Sequence, residues 1–115
     1  MSVNVDIDKL TSMHKGWFIG DFIPSIYANK NFEVAVKKYN SGDYEAKHLH
    51  KQATEVTVII SGEARMNNIL VCEGDIITIL PGEVADFCAL NQVTTVVVKF
   101  PSILDDKYSV EKNSC

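Results

Sequence analysis

Gly42-Asp43-Tyr44-Glu45-Ala46-Lys47-His48-Leu49-His50, with Glu55 and Gly62 downstream, is the stretch that decides how this chain is read. It holds two of the three histidines, two residues apart in a segment with strand character. On a strand, residues i and i+2 point to one face and stand about 6–7 Å apart. Two imidazoles at that spacing can converge on one metal ion, with bonds of about 2.0–2.1 Å. Glu55 follows His48 by an odd offset, which a straight strand would send to the opposite face. It joins the histidines only if residues 51–54 turn and a new strand starts at Glu55. The polar and small side chains there predict that turn. His48, His50 and Glu55 are therefore the candidate metal ligands.

Outward from this stretch, strand signals recur at short intervals. Val3, Val5 and Ile7 alternate with polar residues and predict an edge strand. Residues 17–24 are rich in aromatics and suit an extended arm packed on another surface. Residues 32–39 read as a strand closed by the turn Asn40-Ser41-Gly42-Asp43. Residues 55–60 are β-branched apart from Glu55, and Gly62 ends them. Residues 64–67 and 69–72 flank Asn67-Asn68, a pair that tolerates positive φ and so predicts a hairpin. Residues 76–80 stop at Pro81-Gly82, and residues 84–90 and 94–100 are split by Asn91-Gln92. Short strands with turns every 8–12 residues or so give an all-β sandwich or barrel. Ser102 and Asp105 have capping-box spacing, which predicts one helical turn in the tail. No linker or repeat divides the chain, so residues 1–115 read as one domain of ordinary size.

The arrangement of Gly42, five residues, His48-x-His50, four residues, Glu55, six residues and Gly62 resembles the first motif of the cupin superfamily at every defined position. A second motif runs from Gly74-Asp75 through Pro81-Gly82 and departs from the family twice. Leu80 stands where many cupins carry a proline, and Ala85 stands where the family has its fourth ligand, a histidine. The likeness implies a jelly-roll barrel (a double-stranded β-helix) over residues 32–100, with an N-terminal arm 1–31 and a tail 101–115. It also implies a divalent metal, with Fe, Mn, Ni and Zn undistinguished, or none, because Ala85 has no lone pair to give. Three outcomes follow from Ala85. A two-histidine, one-carboxylate site stands alone with water at its open positions; Asp86 or Glu83 substitutes; or the pocket holds a small organic ligand by hydrogen bonds alone.

The ligand-binding wall of such a barrel is expected from Tyr39, Tyr44, Ile59, Met66 and Phe87, mainly apolar with a few polar groups. The resemblance opens an oxygenase-type metal chemistry, a metal-free sugar or nucleotide-sugar isomerase or epimerase, and a non-catalytic binding module. A fold so widely shared does not choose among them. The acid/base inventory facing the pocket does: if only His48, His50 and Glu55 face inward, a bound metal occupies all three and leaves Tyr alone to move protons. Phosphate recognition would need cations. Ala64 and Met66 suit the interior and turn Arg65 outward, which leaves Lys38, Lys47 and Lys99. His14 stands outside every motif and reads as an exposed loop residue.

Composition narrows the partners. A net charge of −4 with one arginine lacks the basic stripe of a nucleic-acid surface. No apolar run approaches the roughly 18 residues of a membrane span. Asp6 and Asp8 lie where a signal peptide would be basic and then apolar, which places the chain in the cytoplasm. Cys72, Cys88 and Cys115 have no metal-like spacing and read as free thiols. Trp17, Phe18, Phe22 and Ile23 carry more apolar surface than a small monomer leaves exposed, and jelly-roll edges need cover. A homodimer through strand or arm exchange is expected.

Overall fold

The computed structural model describes residues 4–110. Its strands are Trp17–Ile19 (β1), Glu33–Tyr39 (β2), Tyr44–His50 (β3), Thr54–Ser61 (β4), Glu63–Met66 (β5), Ile69–Cys72 (β6), Ile76–Ile79 (β7), Ala85–Ala89 (β8), Val93–Phe100 (β9) and Lys107–Ser109 (β10). They form two five-stranded antiparallel sheets, ordered β1-β2-β9-β4-β7 and β10-β3-β8-β5-β6. From β2 to β10 the chain crosses to the opposite sheet at every connection except the β5–β6 hairpin. That winding is the jelly roll expected from the strand spacing. The hairpin turns at Asn67 and Asn68, with φ of 50° and 63°, as a type I′ turn requires.

Alternation divides each strand between two faces. Ala35, Ile59, Ala64, Val71, Phe87, Ala89 and Val93 point inward and are buried, with Ile59 at the centre and fully enclosed. The polar inward positions gather elsewhere, on β2, β3, the start of β4 and the end of β9, with Met66, Ala85 and Val97 among them. One end of the interior is therefore a dry core and the rest a polar chamber. Gly62 closes the dry end. Its φ of 90° and the backbone of Gln92 and Val93 pressed against it leave no room for a side chain.

The outward positions of the first sheet do not follow the usual polar pattern. Register aligns Val36, Val96, Val58 and Ile76 in one cross-strand row, and Val34, Val98, Val56 and Thr78 in the next.

Several expectations fail, each for a physical reason. Residues 4–9 form no strand and pair with none, so the expected edge strand is absent there; Val3 lies outside the described residues. The aromatic arm folds back on its own barrel, since β1 pairs with β2 through Trp17↔Ala35 and Ile19↔Val34. The tail has no helical turn. Asp105 takes a φ of 58°, which ends any helix, and β10 instead pairs with β3. Cys72 is free and exposed, whereas Cys88 is disulfide-bonded and departs from the free-thiol reading. Among the described residues no helix is long and apolar enough to cross a membrane.

The tail has a function that its sequence did not announce. Asp106 is buried, and its carboxylate accepts hydrogen bonds from the backbone N–H groups of Lys51 (3.2 Å), Gln52 (3.1 Å) and Ala53 (2.9 Å). These are the donors that the β3–β4 reversal would otherwise leave without partners. Burial pushes the Asp106 carboxyl up, and the three N–H groups outweigh it, so the group sits below its ordinary value. A depressed carboxyl stabilises the fold fully above the unfolded-state pKa of about 3.9, and that stabilisation is lost as pH falls through the lower folded value. Asp106→Ala should lower unfolding free energy by about 2–3 kcal/mol at pH 7, read by urea denaturation. The difference from wild type should shrink below about pH 4, where the natural carboxyl is itself being protonated.

Candidate functional site

The polar chamber is built first by β3. A β-bulge interrupts its pairing with β8 between Glu45 and His48. The extra residue shifts the alternation, so Glu45, His48 and His50 all face inward. The same shift puts Tyr44 outside, where it is exposed and lines the outer groove rather than the inner chamber. The His48 Nδ1–H donates to the Ala46 carbonyl at 2.8 Å, which leaves Nε2 with a lone pair. Burial pushes His48 down, keeping it neutral at pH 7. The His48 and His50 rings stand 5.4 Å apart, centroid to centroid, at 78°.

After the turn held by Asp106, β4 brings Glu55 to the same chamber. Glu55 Oε1 lies 3.7 Å from His50 Nε2, and the Thr57 hydroxyl donates to Glu55 Oε2 at 3.3 Å. Burial raises the Glu55 carboxyl, and His50 and Lys99 outweigh it, so the group stays ionised. His50 Nδ1 and Thr95 Oγ1 are buried with no protein partner, and such groups ask for a ligand or water.

The opposite wall comes from β2, whose inward positions Glu33, Lys37 and Tyr39 follow plain alternation. Tyr39 donates its hydroxyl to Glu45 Oε2 at 2.8 Å, and Lys37 Nζ approaches the same oxygen at 3.3 Å. Burial and the Glu45 charge push Tyr39 well above the usual phenol range, so it remains a proton donor. Glu45 is raised by burial and lowered more by Lys37 and Tyr39, so it remains a carboxylate. Tyr39 also packs on Phe87, with ring centroids 4.4 Å apart. Lys99 Nζ stands 3.9 Å from Glu33, whose carboxyl burial pushes up. Lys37 and Lys99 both lie over the Trp17 ring, at 5.5 and 5.0 Å, so β1 caps the chamber with a cation–π contact.

Space is divided unequally. A cavity of about 30 Å³ lies among His48, Glu55, Thr57, Tyr39, Met66 and Phe87, room for one water or one ion. A groove of about 790 Å³ lies outside, between residues 10–16 and the segment from Tyr39 to Glu45. Lys37, Tyr39 and Glu45 line both spaces.

Of the expected ligand wall, Tyr39, Met66 and Phe87 line the inner cavity. Ile59 is sealed in the dry core and reaches neither space. Glu45, Lys37, Glu33 and Trp17 were not anticipated. Alternation from Tyr39 would have found Lys37 and Glu33, but the bulge hides Glu45 from any such rule. Lys99 faces inward, whereas Lys38 is exposed on the outer face. His14 is exposed and Arg65 turns outward, as expected.

His48 and His50 on β3 and Glu55 on β4 face one another from opposite sheets, but among the described residues no three His, Cys, Asp or Glu side chains gather into a group able to hold a metal. The donor atoms of His50 and Glu55 face each other, and Ala85, paired with His48 and buried, offers only a methyl group. Asp86 accepts the Asn67 backbone N–H at 2.7 Å and also borders the inner cavity, whereas Glu83 accepts the N–H of Leu80 at 2.6 Å and does not line that cavity. As it stands, the donor set does not fit a metal centre.

No protein-family model and no curated protein matches the chain. Solved structures do. An uncharacterized conserved protein with a double-stranded β-helix domain from Klebsiella pneumoniae superposes with a TM-score of 0.70 at 23% identity, covering 96% of this chain and 100% of the other. Streptomyces PAC13 with uridine superposes at 0.66 with 14% identity, over 75% of this chain and 73% of that one. A sugar phosphate isomerase from a cupin superfamily of Silicibacter pomeroyi gives 0.57 and 18%, over 61% and 50%. These likenesses establish the fold as the cupin-type double-stranded β-helix.

Tyr39→Phe removes one of the two hydrogen bonds on Glu45. The Glu45 carboxyl should titrate at a higher pH than in the wild type, followed by carbon-detected NMR titration, while the Asp106 titration stays in place.

Proposed function

We propose that this chain binds a small polar organic molecule of sugar or polyol type in the groove beside residues 10–16 and moves a proton on it without a metal. The carrying observation is that Lys37, Tyr39 and Glu45 line the groove and the inner cavity together. A ligand in the groove meets an ionised carboxylate, a protonated phenol and an ammonium within one hydrogen-bonded cluster.

The chemistry follows from the protonation states. Both bonds to Glu45 fall on Oε2, so Oε1 is the atom offered to a ligand. A carboxylate there accepts a proton from carbon or hydroxyl, and Tyr39 donates one to the oxygen that gains charge. Lys37 stabilises the anionic intermediate between those two transfers. The neutral Nε2 of His48 is a second acceptor deeper in the chamber. The cavity beside it holds water-sized groups only, so the organic part of the ligand stays in the groove. Support for the sugar class comes from two of the similar folds, one a sugar phosphate isomerase and one solved with uridine.

Incubating the protein with a panel of aldoses, ketoses, sugar phosphates and nucleosides in D2O should give deuterium at one ligand carbon, read by NMR. Glu45→Gln should slow that exchange by about 10²–10⁴-fold, with the fold intact by amide spectra. The rate should fall as pH drops through the carboxylate range, because Glu45 must be ionised to accept. Exchange that is unaffected by Glu45→Gln would overturn the assignment.

A divalent metal held by His48, His50 and Glu55 is the second reading. Its supporting observation is charge: three carboxylates, Glu33, Glu45 and Glu55, face the chamber against two ammonium groups, Lys37 and Lys99. The His50–Glu55 contact would have to open for both to turn toward an ion. Elemental analysis of protein from cells grown with Fe, Mn, Ni and Zn separates the readings. Stoichiometric metal that disappears in the His48→Ala, His50→Ala double variant supports the metal; equal absence in both retires it.

A further inference from the structure

We propose that Trp17 is a positioning residue of the proton-transfer cluster, its ring holding the Lys37 ammonium against Glu45 and the Lys99 ammonium against Glu33. The role assigned to it rests on the reading of Lys37, Tyr39 and Glu45 given above. Lys37 Nζ stands 5.5 Å and Lys99 Nζ 5.0 Å from the ring centroid, both inside the range of about 6 Å for a cation–π contact. Each ammonium has a carboxylate on its other side, Glu45 Oε2 at 3.3 Å and Glu33 Oε1 at 3.9 Å. A lysine side chain has many rotamers, and a single carboxylate contact does not select among them. A ring on the opposite side does.

The chain builds an anchorage for this ring, its only tryptophan. Trp17 donates its N–H to the His14 carbonyl, and Val36 donates to the Gly16 carbonyl, both at 3.0 Å. A Cβ at Gly16 would collide with the Val36 carbonyl, so glycine lets the turn press on β2. The register then shifts between Trp17↔Ala35 and Ile19↔Val34. Paired residues share a face, so Trp17 turns inward with Ala35, and the shift sends Ile19 outward with Val34. Phe22 meets the Trp17 ring edge-on at 6.4 Å and 73°. Behind it, the Ser25 hydroxyl accepts the Gly20 N–H at 3.1 Å, and the Ser102 hydroxyl accepts the Asp21 N–H at 2.9 Å.

This anchorage does not serve the dry core. No residue of β1 belongs to that cluster, whereas Trp17 lines the inner cavity. The ring's neighbours across the chamber are charges, and what it can give them is position. Glu45 feels that position through several groups: Lys37 and Tyr39 from β2, Lys107 from β10, Glu55 from β4 and His48 from its own strand, with Asp86 of β8 bordering the same cavity. Lys37 is the strongest of those that keep the carboxylate ionised, so a displaced ammonium is felt first at the proton acceptor.

Two variants without any ligand test the role. Trp17→Leu removes the ring and keeps an apolar side chain; Trp17→Phe keeps a ring. In the wild type, NMR should show the ε-methylene signals of Lys37 and Lys99 displaced upfield from those of exposed Lys38 by the indole ring current. Trp17→Leu should return them to the Lys38 position and move the Glu45 titration to higher pH, with amide spectra and the Asp106 titration unchanged. Trp17→Phe should restore both in part. Wild-type ε signals that coincide with those of Lys38, or a Glu45 titration equal in the Leu and Phe variants, overturn the proposal. Should Trp17→Leu not fold, the wild-type ε signals and their displacement in Trp17→Phe decide. For the panel compound that exchanges deuterium, Trp17→Leu should lower the rate by about 3–30-fold and Trp17→Phe by less. A wild type that exchanges none counts against the proposed reaction, and the ligand-free spectra still decide whether Trp17 places the two ammonium groups.

Discussion

The reversal at residues 51–53 is the constraint on which the chamber depends. An odd offset separates Glu55 from His48 and His50, so a continuous strand would place the carboxylate on the far side of the sheet. Three hydrogen bonds to one buried carboxylate, Asp106, turn the chain instead. The turn also moves β4 into the opposite sheet, so Glu55 faces His50 across the interior. A group from the far end of the chain thus sets the geometry of its middle.

The chamber that results is electrostatically self-contained. Each carboxylate that faces it has a cation, phenol or hydroxyl of the same chain beside it. Such pairing lets charged groups stay ionised in a space that excludes most water. It also sorts them by role: Glu33 with Lys99 and Trp17 forms one end, Glu55 with His50 and Thr57 the middle, and Glu45 with Tyr39 and Lys37 the side open to the groove. The last cluster borders a groove large enough for an organic molecule.

How much of this was legible in the sequence depends on the range of the interactions involved. The strands, the Asn67-Asn68 hairpin and the Gly62 constraint are local, and local rules found them. The inward histidines followed from a period of two. The bulge between Glu45 and His48 has no such signature, and it produced two errors at once, hiding Glu45 and placing Tyr44 on the wrong face. Asp106 was illegible for a different reason: its partners are backbone groups more than fifty residues away, with no side-chain pattern to announce them. The outer rows of valine were visible as β-branched runs, but only the register of four strands shows that they adjoin.

The Pro81-Gly82 corner bears on the site although Ala85, three residues on, brings no side-chain donor to it. The N–H of Gly82 donates to the carbonyl of His50 at 2.7 Å, tying the Pro81-Gly82 corner to the end of β3. The corner acts on the site by clamping the main chain and lends it no side-chain donor. A disturbance at that corner would reach the imidazole through the main chain. Substitutions near Gly82 would therefore mimic damage to a ligand in a protein whose corner supplies none.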